Sequence, residues 1–342
     1  MGRAEHREAP QRQFNLALTD LRWTKSEHCA VHDGQPRTVV TGGAGFVGSH
    51  LVDALLEEEN GQVVVLDNLS RGRMANLAGH DADPRLRMIH GDVRDLAAVR
   101  EACAGADVVF HLAAQSTVMG GARDIDYTFS SNVIGTYNVL KIAAEEGARR
   151  LVFASSREVY GEPVGVPVEE SHPLLAINSY GASKVAGEAL CRAFAKEANL
   201  PCVILRLANV YGPRDVGRVI PHWIEEARDG RELVVYGGRQ VIDFIWVGDV
   251  VQAILRAAAL ETALPPINVA SGTGTKIADL ARRISRLAES PAQTRIVPPR
   301  SIEVMRFIGA TDRMKELLGL APAADPLSHL PEMVHSMATA AA

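Results

Sequence analysis

The segment Val39-Val40-Thr41-Gly42-Gly43-Ala44-Gly45-Phe46-Val47-Gly48 places three glycines between a β-branched run and an Ala/Leu-rich stretch of helical period. Glycine at these points permits a tight turn, lets backbone N–H groups approach a pyrophosphate, and allows a helix to start close against a strand. A plain tight turn would explain the glycines equally well in isolation. The next β-branched run ends in Asp67, and a carboxylate about twenty residues beyond a glycine loop accepts hydrogen bonds from an adenosine ribose diol. Together they predict a dinucleotide site. The same carboxylate would face a 2′-phosphate, which favours NAD over NADP, although Arg71 and Arg73 nearby keep NADP open.

Outward from this turn, short β-branched runs alternate with helical segments. Residues 48–59, 96–103, 125–146 and 179–198 read as helices; residues 62–66, 108–112, 150–154 and 202–205 read as strands. Such alternation predicts an α/β fold, a Rossmann-type doubly wound parallel sheet with helices on both faces. Residues 37–210 therefore read as an NAD-binding domain. Beyond Tyr211, Pro213, Pro221, Gly237-Gly238, Pro265-Pro266 and Pro298-Pro299 punctuate shorter elements. Residues 211–342 read as a smaller, irregular α/β substrate-binding domain, with 242–271 expected to return to the main sheet. Residues 1–36 end in Asp33-Gly34-Gln35-Pro36 and read as a leader, expected to be poorly ordered.

The 342 residues carry 36 Lys+Arg against 41 Asp+Glu, net −5 at pH 7, with no basic tract. That weighs against a nucleic-acid partner held through phosphates. No run approaches ~20 consecutive apolar residues, so no membrane span is expected. The start of the chain is polar and lacks the pattern of a secretory signal, so the expected location is the cytoplasm. Cys29, Cys103, Cys191 and Cys202 form no C-x-x-C pair, which suits reduced thiols. His28, Cys29 and His32 are too few ligands for a zinc site, and no metal is expected.

Further landmarks follow in order: Gly91-Asp92-Val93, His111-Leu112-Ala113-Ala114, Ser131-Asn132-Val133-Ile134-Gly135-Thr136, Ala154-Ser155-Ser156-Arg157-Glu158-Val159-Tyr160-Gly161, Tyr180-Gly181-Ala182-Ser183-Lys184 and Asn209-Val210-Tyr211-Gly212-Pro213-Arg214. With the G-x-x-G-x-x-G spacing, this series resembles the extended short-chain dehydrogenase/reductase superfamily, and within it the nucleotide-sugar epimerases and dehydratases such as UDP-glucose 4-epimerases. The resemblance runs over about residues 38–319. It implies cofactor contacts from Gly42, Gly45, Phe46, Val47, Gly48, Asp67, Asn68, Asp92, Val93, Leu112, Ala113, Ala114 and Asn132, with Tyr180 and Lys184 at the nicotinamide end.

Tyr180 and Lys184 stand at i and i+4, so on one helix they share a face. A phenol of pKa roughly 10 is a poor base at neutral pH, but a nearby ammonium and a cationic nicotinamide would favour its phenolate. It could then take a proton from a sugar hydroxyl as hydride leaves the same carbon. The resemblance implies that Ser156 donates to the reacting oxygen. It also implies substrate contacts from Ser116, Ser156, Asn209 and Arg218, with Tyr236 on the nucleobase, Arg300 at the diphosphate and Glu303 on its ribose. Guanidinium forks suit phosphates and an aromatic face suits a base.

Two positions complicate this pattern. Glu158 matches a glutamate that works near C5 in 4,6-dehydratases and UDP-glucuronate decarboxylases, and so is a catalytic candidate. Its neighbour Arg157 stands where many dehydratases carry an acid, and could instead pair with Glu158. In Gln240-Val241-Ile242-Asp243-Phe244, Ile242 replaces the arginine expected on a phosphate, leaving Arg214, Arg218 or Arg239 as substitutes. The expected activity is an NAD-dependent nucleotide-sugar 4-epimerase, with UDP-sugars favoured. The alternatives are a 4,6-dehydratase, a decarboxylase or another C5-acting enzyme using Glu158, and, more remotely, a non-catalytic NAD-binding regulator. The helices at 125–146 and 179–198 match a pair that forms an intermolecular bundle in the superfamily, so a homodimer is expected.

Overall fold

In the computed structural model, which describes residues 36–58, 61–260 and 264–339, the chain begins β1 (Arg37–Thr41), α1 (Phe46–Glu57), β2 (Gln62–Asp67), β3 (Leu86–His90), α2 (Leu96–Cys103), β4 (Val108–His111), α3 (Val118–Arg123) and α4 (Ile125–Phe129). It continues through α5 (Gly135–Glu145), β5 (Arg150–Ser156), α6 (Ser179–Glu197), β6 (Cys202–Leu207), β7 (Asn209–Tyr211), α7 (Val219–Arg228), β8 (Leu233–Tyr236) and β9 (Val241–Trp246). The last elements are α8 (Val247–Ala259), β10 (Ile267–Val269), β11 (Gly274–Lys276), α9 (Ile277–Leu287), β12 (Thr294–Val297), α10 (Asp312–Leu318) and α11 (Leu330–Thr339). The leader through residue 35, with His28, Cys29 and His32, lies outside the described residues.

Seven strands form one parallel sheet in the order β10-β6-β5-β4-β1-β2-β3. Parallel strands covered on both faces must be apolar on both, which the runs Val63-Val64-Val65-Leu66 and Leu151-Val152-Phe153 satisfy. Val64, Leu151 and Phe153 pack with Val99 of α2, Val139 of α5 and Cys191 of α6. Val63, Val65 and Val152 face the other way, toward Leu51 of α1 and Ile254 of α8. This is the doubly wound Rossmann-type sheet expected. Its strand order reverses between β1 and β4, and a crevice opens at the carboxyl ends of strands at such a point.

Three details depart from the sequence reading. β3 was not anticipated, because Leu86-Arg87-Met88-Ile89-His90 mixes polar with apolar residues, as an edge strand does. β9 does not return to the main sheet; it lies in a three-stranded sheet between β11 and β7, whereas β10 does join the large sheet. The reason is packing: Phe244 belongs to a second core with Tyr211, Trp223 of α7, Leu280 of α9 and Met333 of α11. The helical stretch near 125–146 is also not uniform. It widens into one π-helical turn at Ser130–Ile134, between α4 and α5, a feature that concentrates at functional sites.

Candidate active site

The glycine turn presses β1 and the start of α1 against the loop after β4. Gly42 has φ +75°, and a Cβ there would lie 2.8 Å from the Ala113 backbone nitrogen; a Cβ on Gly48 would lie 2.1 Å from the Gly42 carbonyl oxygen. Neither position tolerates a side chain. The result is a cleft lined by Gly42, Gly45, Phe46, Val47, Gly48, Asp67, Asn68, Val93, Leu112, Ala113, Ala114 and Ser116. Asp67 is 7% exposed and accepts the backbone N–H groups of Ala44 (3.0 Å) and Leu69 (2.8 Å). Burial nonetheless pushes its carboxyl above the ordinary value. Behind it, Asp92 accepts from Asn68 Nδ2 at 2.7 Å and from Arg94 Nε and Nη2 at 2.9 and 2.8 Å. Burial opposes these bonds, but Arg94 and Asn68 together bring Asp92 down to about 2. A side-chain-free cradle at a helix N-terminus, with a carboxylate at the end of β2, fits NAD.

The segment after β7 closes over this cleft, and sequence reasoning missed much of it. Arg214, Asp215 and Val216 line the cleft together with Ser70, Arg71, Gly72, Arg73, Asn76, Tyr127 and Ser131. Arg71 Nη2 donates to the Val216 carbonyl (3.1 Å), Arg214 pairs with Asp53 (2.7 Å), and His50 Nε2 lies 3.0 Å from the Pro213 carbonyl oxygen. Arg218, assigned by resemblance to the diphosphate or sugar, lines the same cleft, pairs with Asp215 at 2.7 Å and lies over the Phe46 ring at 5.5 Å. Arg214 stood in a quoted landmark; Asp215 carried no local signal.

At the inner end, Asn132 in the widened helical turn accepts the Gln115 N–H (2.7 Å) and donates to the Gln115 carbonyl and Ser183 Oγ (both 2.9 Å). It thereby ties the cleft loop to α6, which carries Tyr180 and Lys184. Asn178 caps α6 by accepting the Gly181 N–H at 2.8 Å. Ser156 Oγ accepts the Glu158 N–H (3.2 Å). Burial raises the Tyr180 phenol above its ordinary value, against the pull of the Ser156 hydroxyl, Arg218 and Arg157. Lys184 was expected to supply that pull. Instead its Nζ donates to the Ala154 carbonyl (2.8 Å) and sits 4.8 Å from the Phe153 ring centre, and burial lowers its ammonium to about 8.

On the substrate side, Arg157 Nε donates to Asn209 Oδ1 (2.6 Å), and its Nη2 pairs with Glu158 Oε1 (2.8 Å). Asn178 Nδ2 donates to the other oxygen, Glu158 Oε2, at 2.8 Å. The pairing of Arg157 with Glu158, weighed as an alternative to C5 chemistry, is thus present. Further out, Tyr236, Arg300 and Glu303 come together: the Arg300 guanidinium lies 3.7 Å from the Tyr236 ring centre and pairs with Glu303 at 2.9 Å. Ile242 packs against the second core. Among the described residues, no group of His, Cys, Asp and Glu side chains is arranged to hold a metal ion, and no helix is long and apolar enough to cross a membrane.

Comparison with known proteins agrees with this geometry. Residues 38–270 match the NAD-dependent epimerase/dehydratase family. A UDP-glucose 4-epimerase of Mycolicibacterium smegmatis is 35% identical over 298 residues, covering 84% of this chain and 93% of that protein. UDP-glucuronic acid decarboxylase 2 of Arabidopsis thaliana is 33% identical over 307 residues, 87% of this chain and 67% of that one. Among solved structures, the dTDP-glucose 4,6-dehydratase DesIV of Streptomyces venezuelae, with NAD bound, superposes with a TM-score of 0.85 at 31% identity, covering 89% of this chain and 97% of that one. Relatives at this distance thus include epimerases, dehydratases and decarboxylases. With its glycine cradle, Asp67 and the Ser156–Tyr180 pair in place, this chain belongs to the NAD-dependent epimerase/dehydratase family of enzymes.

Proposed function

We propose that the chain is a nucleotide-sugar 4-epimerase acting on UDP-sugars. The observation that carries this reading is the condition of Glu158. Its side chain is buried and both carboxylate oxygens are engaged, one by Arg157 and one by Asn178. Removing a C5 proton with this carboxylate would require breaking one of these bonds. By contrast the Ser156 hydroxyl acts on the Tyr180 phenol, and the two hydroxyls can share a C4 oxygen. Ser156 orients that oxygen, and Tyr180, in the phenolate form that the Arg218 guanidinium and an oxidised nicotinamide would favour, takes its proton and later returns one. Lys184, tied to the Ala154 carbonyl, fixes the floor of the site. NAD, when bound, supplies the hydride acceptor and donor at C4. For the sugar to invert, its 4-keto form must turn over between the two transfers.

A second reading, C5 chemistry by Glu158, has one observation in its favour: the Glu158 N–H bonds Ser156 Oγ, which keeps the carboxylate near the reacting centre. The intact Ser156, Tyr180 and Lys184 weigh against a non-catalytic regulator. A homodimer is part of the proposal, supported by exposed apolar side chains along the helical stretch that packs with α6: Ile125 (60%), Phe129 (55%), Ile134 (42%) and Tyr137 (42%). The activity is tested by incubation with UDP-glucose, UDP-glucuronate, UDP-N-acetylglucosamine, dTDP-glucose and GDP-mannose, with products identified by NMR. A C4 epimer from a UDP-sugar supports the reading. A 4-keto-6-deoxy sugar or a pentose overturns it.

A further inference from the structure

We propose that Glu188 is a positioning residue for the reaction: with Ser155 and Arg206 it sets the register of α6 on the end of β5, and so fixes where the Ser156 hydroxyl stands relative to Tyr180 and Lys184. This rests on the reading that Ser156 and Tyr180 hold the reacting oxygen, and it is indifferent to whether Glu158 acts at C5. Glu188 is fully buried on α6 and has no part in the chemistry described above. Its carboxylate is saturated: Oε1 accepts from Ser155 Oγ (2.7 Å) and Arg206 Nε (2.9 Å), and Oε2 accepts from Arg206 Nη2 (2.8 Å) and Arg192 Nη1 (3.3 Å). Arg206 stands on β6 directly opposite Ser155 in the parallel ladder, so one carboxylate ties two strands to the helix.

The place of these bonds gives them their use. Lys184 and Glu188 stand one turn apart on α6 and share a face. Lys184 holds the Ala154 carbonyl (2.8 Å), and Glu188 holds the next residue, Ser155, by its side chain. The residue after that is Ser156. Just before Glu188, a Cβ on Gly187 would lie 2.5 Å from the Phe153 ring, so the helix lies hard against this strand. A slide or rotation of α6 would therefore carry Tyr180 and Lys184 past Ser156. Replacing a buried ion pair by well-packed apolar side chains is often neutral or stabilising, so stability alone does not account for this one. What the pair adds is direction, because a guanidinium fork meets a carboxylate in one geometry and the Ser155 hydroxyl locks the strand to it.

The test measures kcat, KM and NAD affinity with whichever of the five nucleotide sugars named above the enzyme converts. Wild type, Ser155→Ala, the pair variant Glu188→Leu with Arg206→Met, and the triple variant that combines them are compared, with thermal unfolding reporting which are folded. Ser155→Ala removes one bond and leaves the ion pair whole; the pair variant exchanges the buried charges for apolar side chains of similar size. kcat should fall about tenfold in Ser155→Ala and about a hundredfold in the pair variant, since a misplacement of about 1 Å in a reacting centre costs up to that much. KM and the NAD dissociation constant should stay within about twofold of wild type. The triple variant should be slower than the pair variant by no more than about twofold, because Ser155 acts through Glu188. A kcat within about threefold of wild type in a folded variant, a loss carried by KM or NAD affinity instead of kcat, or an additive loss in the triple variant would each overturn the proposal. So would failure of both Ser155→Ala and the pair variant to fold, which would make the cluster an element of the fold. Ser156→Ala and Tyr180→Phe separate this from the reading beneath it. Full turnover in either removes that residue from the reacting centre, and the proposal with it; turnover lost there but kept in Ser155→Ala and the pair variant overturns the proposal alone. No conversion of any of the five sugars overturns both.

Discussion

Replacing Lys184 by Met should make the protein more stable at neutral pH while disabling it. Lys184 is 3% exposed, and burial lowers its ammonium from the ordinary 10.5 to about 8. At about 1.4 kcal/mol per pH unit, holding that charge in the folded state at pH 7 costs on the order of 3 kcal/mol. The hydrogen bond to the Ala154 carbonyl offsets about 1–2 kcal/mol. A methionine of similar length avoids the cost and forgoes the bond, for a net gain of about 1–2 kcal/mol. The sign against pH follows from proton counts. Below pH 8 both folded and unfolded lysine are protonated and the cost is constant; between 8 and 10.5 only the unfolded one keeps its proton, so wild-type stability rises with pH. The advantage of Lys184→Met should therefore be full at pH 7 and turn into a deficit of about 1 kcal/mol by pH 10, where the charge cost has gone and only the forgone bond remains. Urea unfolding of NAD-free wild type and variant at both pH values measures it. A variant less stable than wild type at pH 7, or an advantage that does not change with pH, would refute the reasoning.

Cofactor choice should follow Asp67: wild type should bind NAD more tightly than NADP, and Asp67→Ala should narrow the gap, as read by titration; equal wild-type affinities would remove Asp67 from that role. Arg218 lowers the Tyr180 phenol, so Arg218→Ala should raise it further, moving the rising limb of kcat against pH to higher pH and reducing kcat at pH 7. An unmoved limb would show that Arg218 does not act on Tyr180. Light scattering at micromolar protein should find about twice the 36.8 kDa chain mass; a single species at the chain mass would exclude the homodimer.

The parts of the site legible in the sequence are those whose chemistry is local. The glycine turn, the carboxylate ending β2 and the Tyr180/Lys184 spacing declare themselves within a few residues. The Arg157–Glu158 pair could be foreseen because the two are adjacent. What could not be foreseen depends on distant segments meeting. Asp215 is buried only because the segment after β7 folds over the glycine turn, where Arg71 and Arg214 anchor it. Arg218 reads as a sugar or diphosphate contact, and that same closure sets it on the cleft beside Asp215 and Phe46. The direction in which Lys184 spends its charge was equally hidden, since the Ala154 carbonyl lies on β5 rather than on its own helix. β9 has the apolar character of a main-sheet strand, and only its packing with Tyr211 and Trp223 assigns it elsewhere.

The most direct measurement is solvent isotope incorporation. With wild-type protein and a UDP-hexose it converts, run in deuterated buffer, a paired and idle Glu158 predicts a C4 epimer with no deuterium on any carbon, because the hydrogen leaving C4 is returned internally and C5 is never exchanged. Deuterium at C5 in the product would show that Glu158 breaks its bonds to Arg157 and Asn178 and acts as a base, contradicting the 4-epimerase reading.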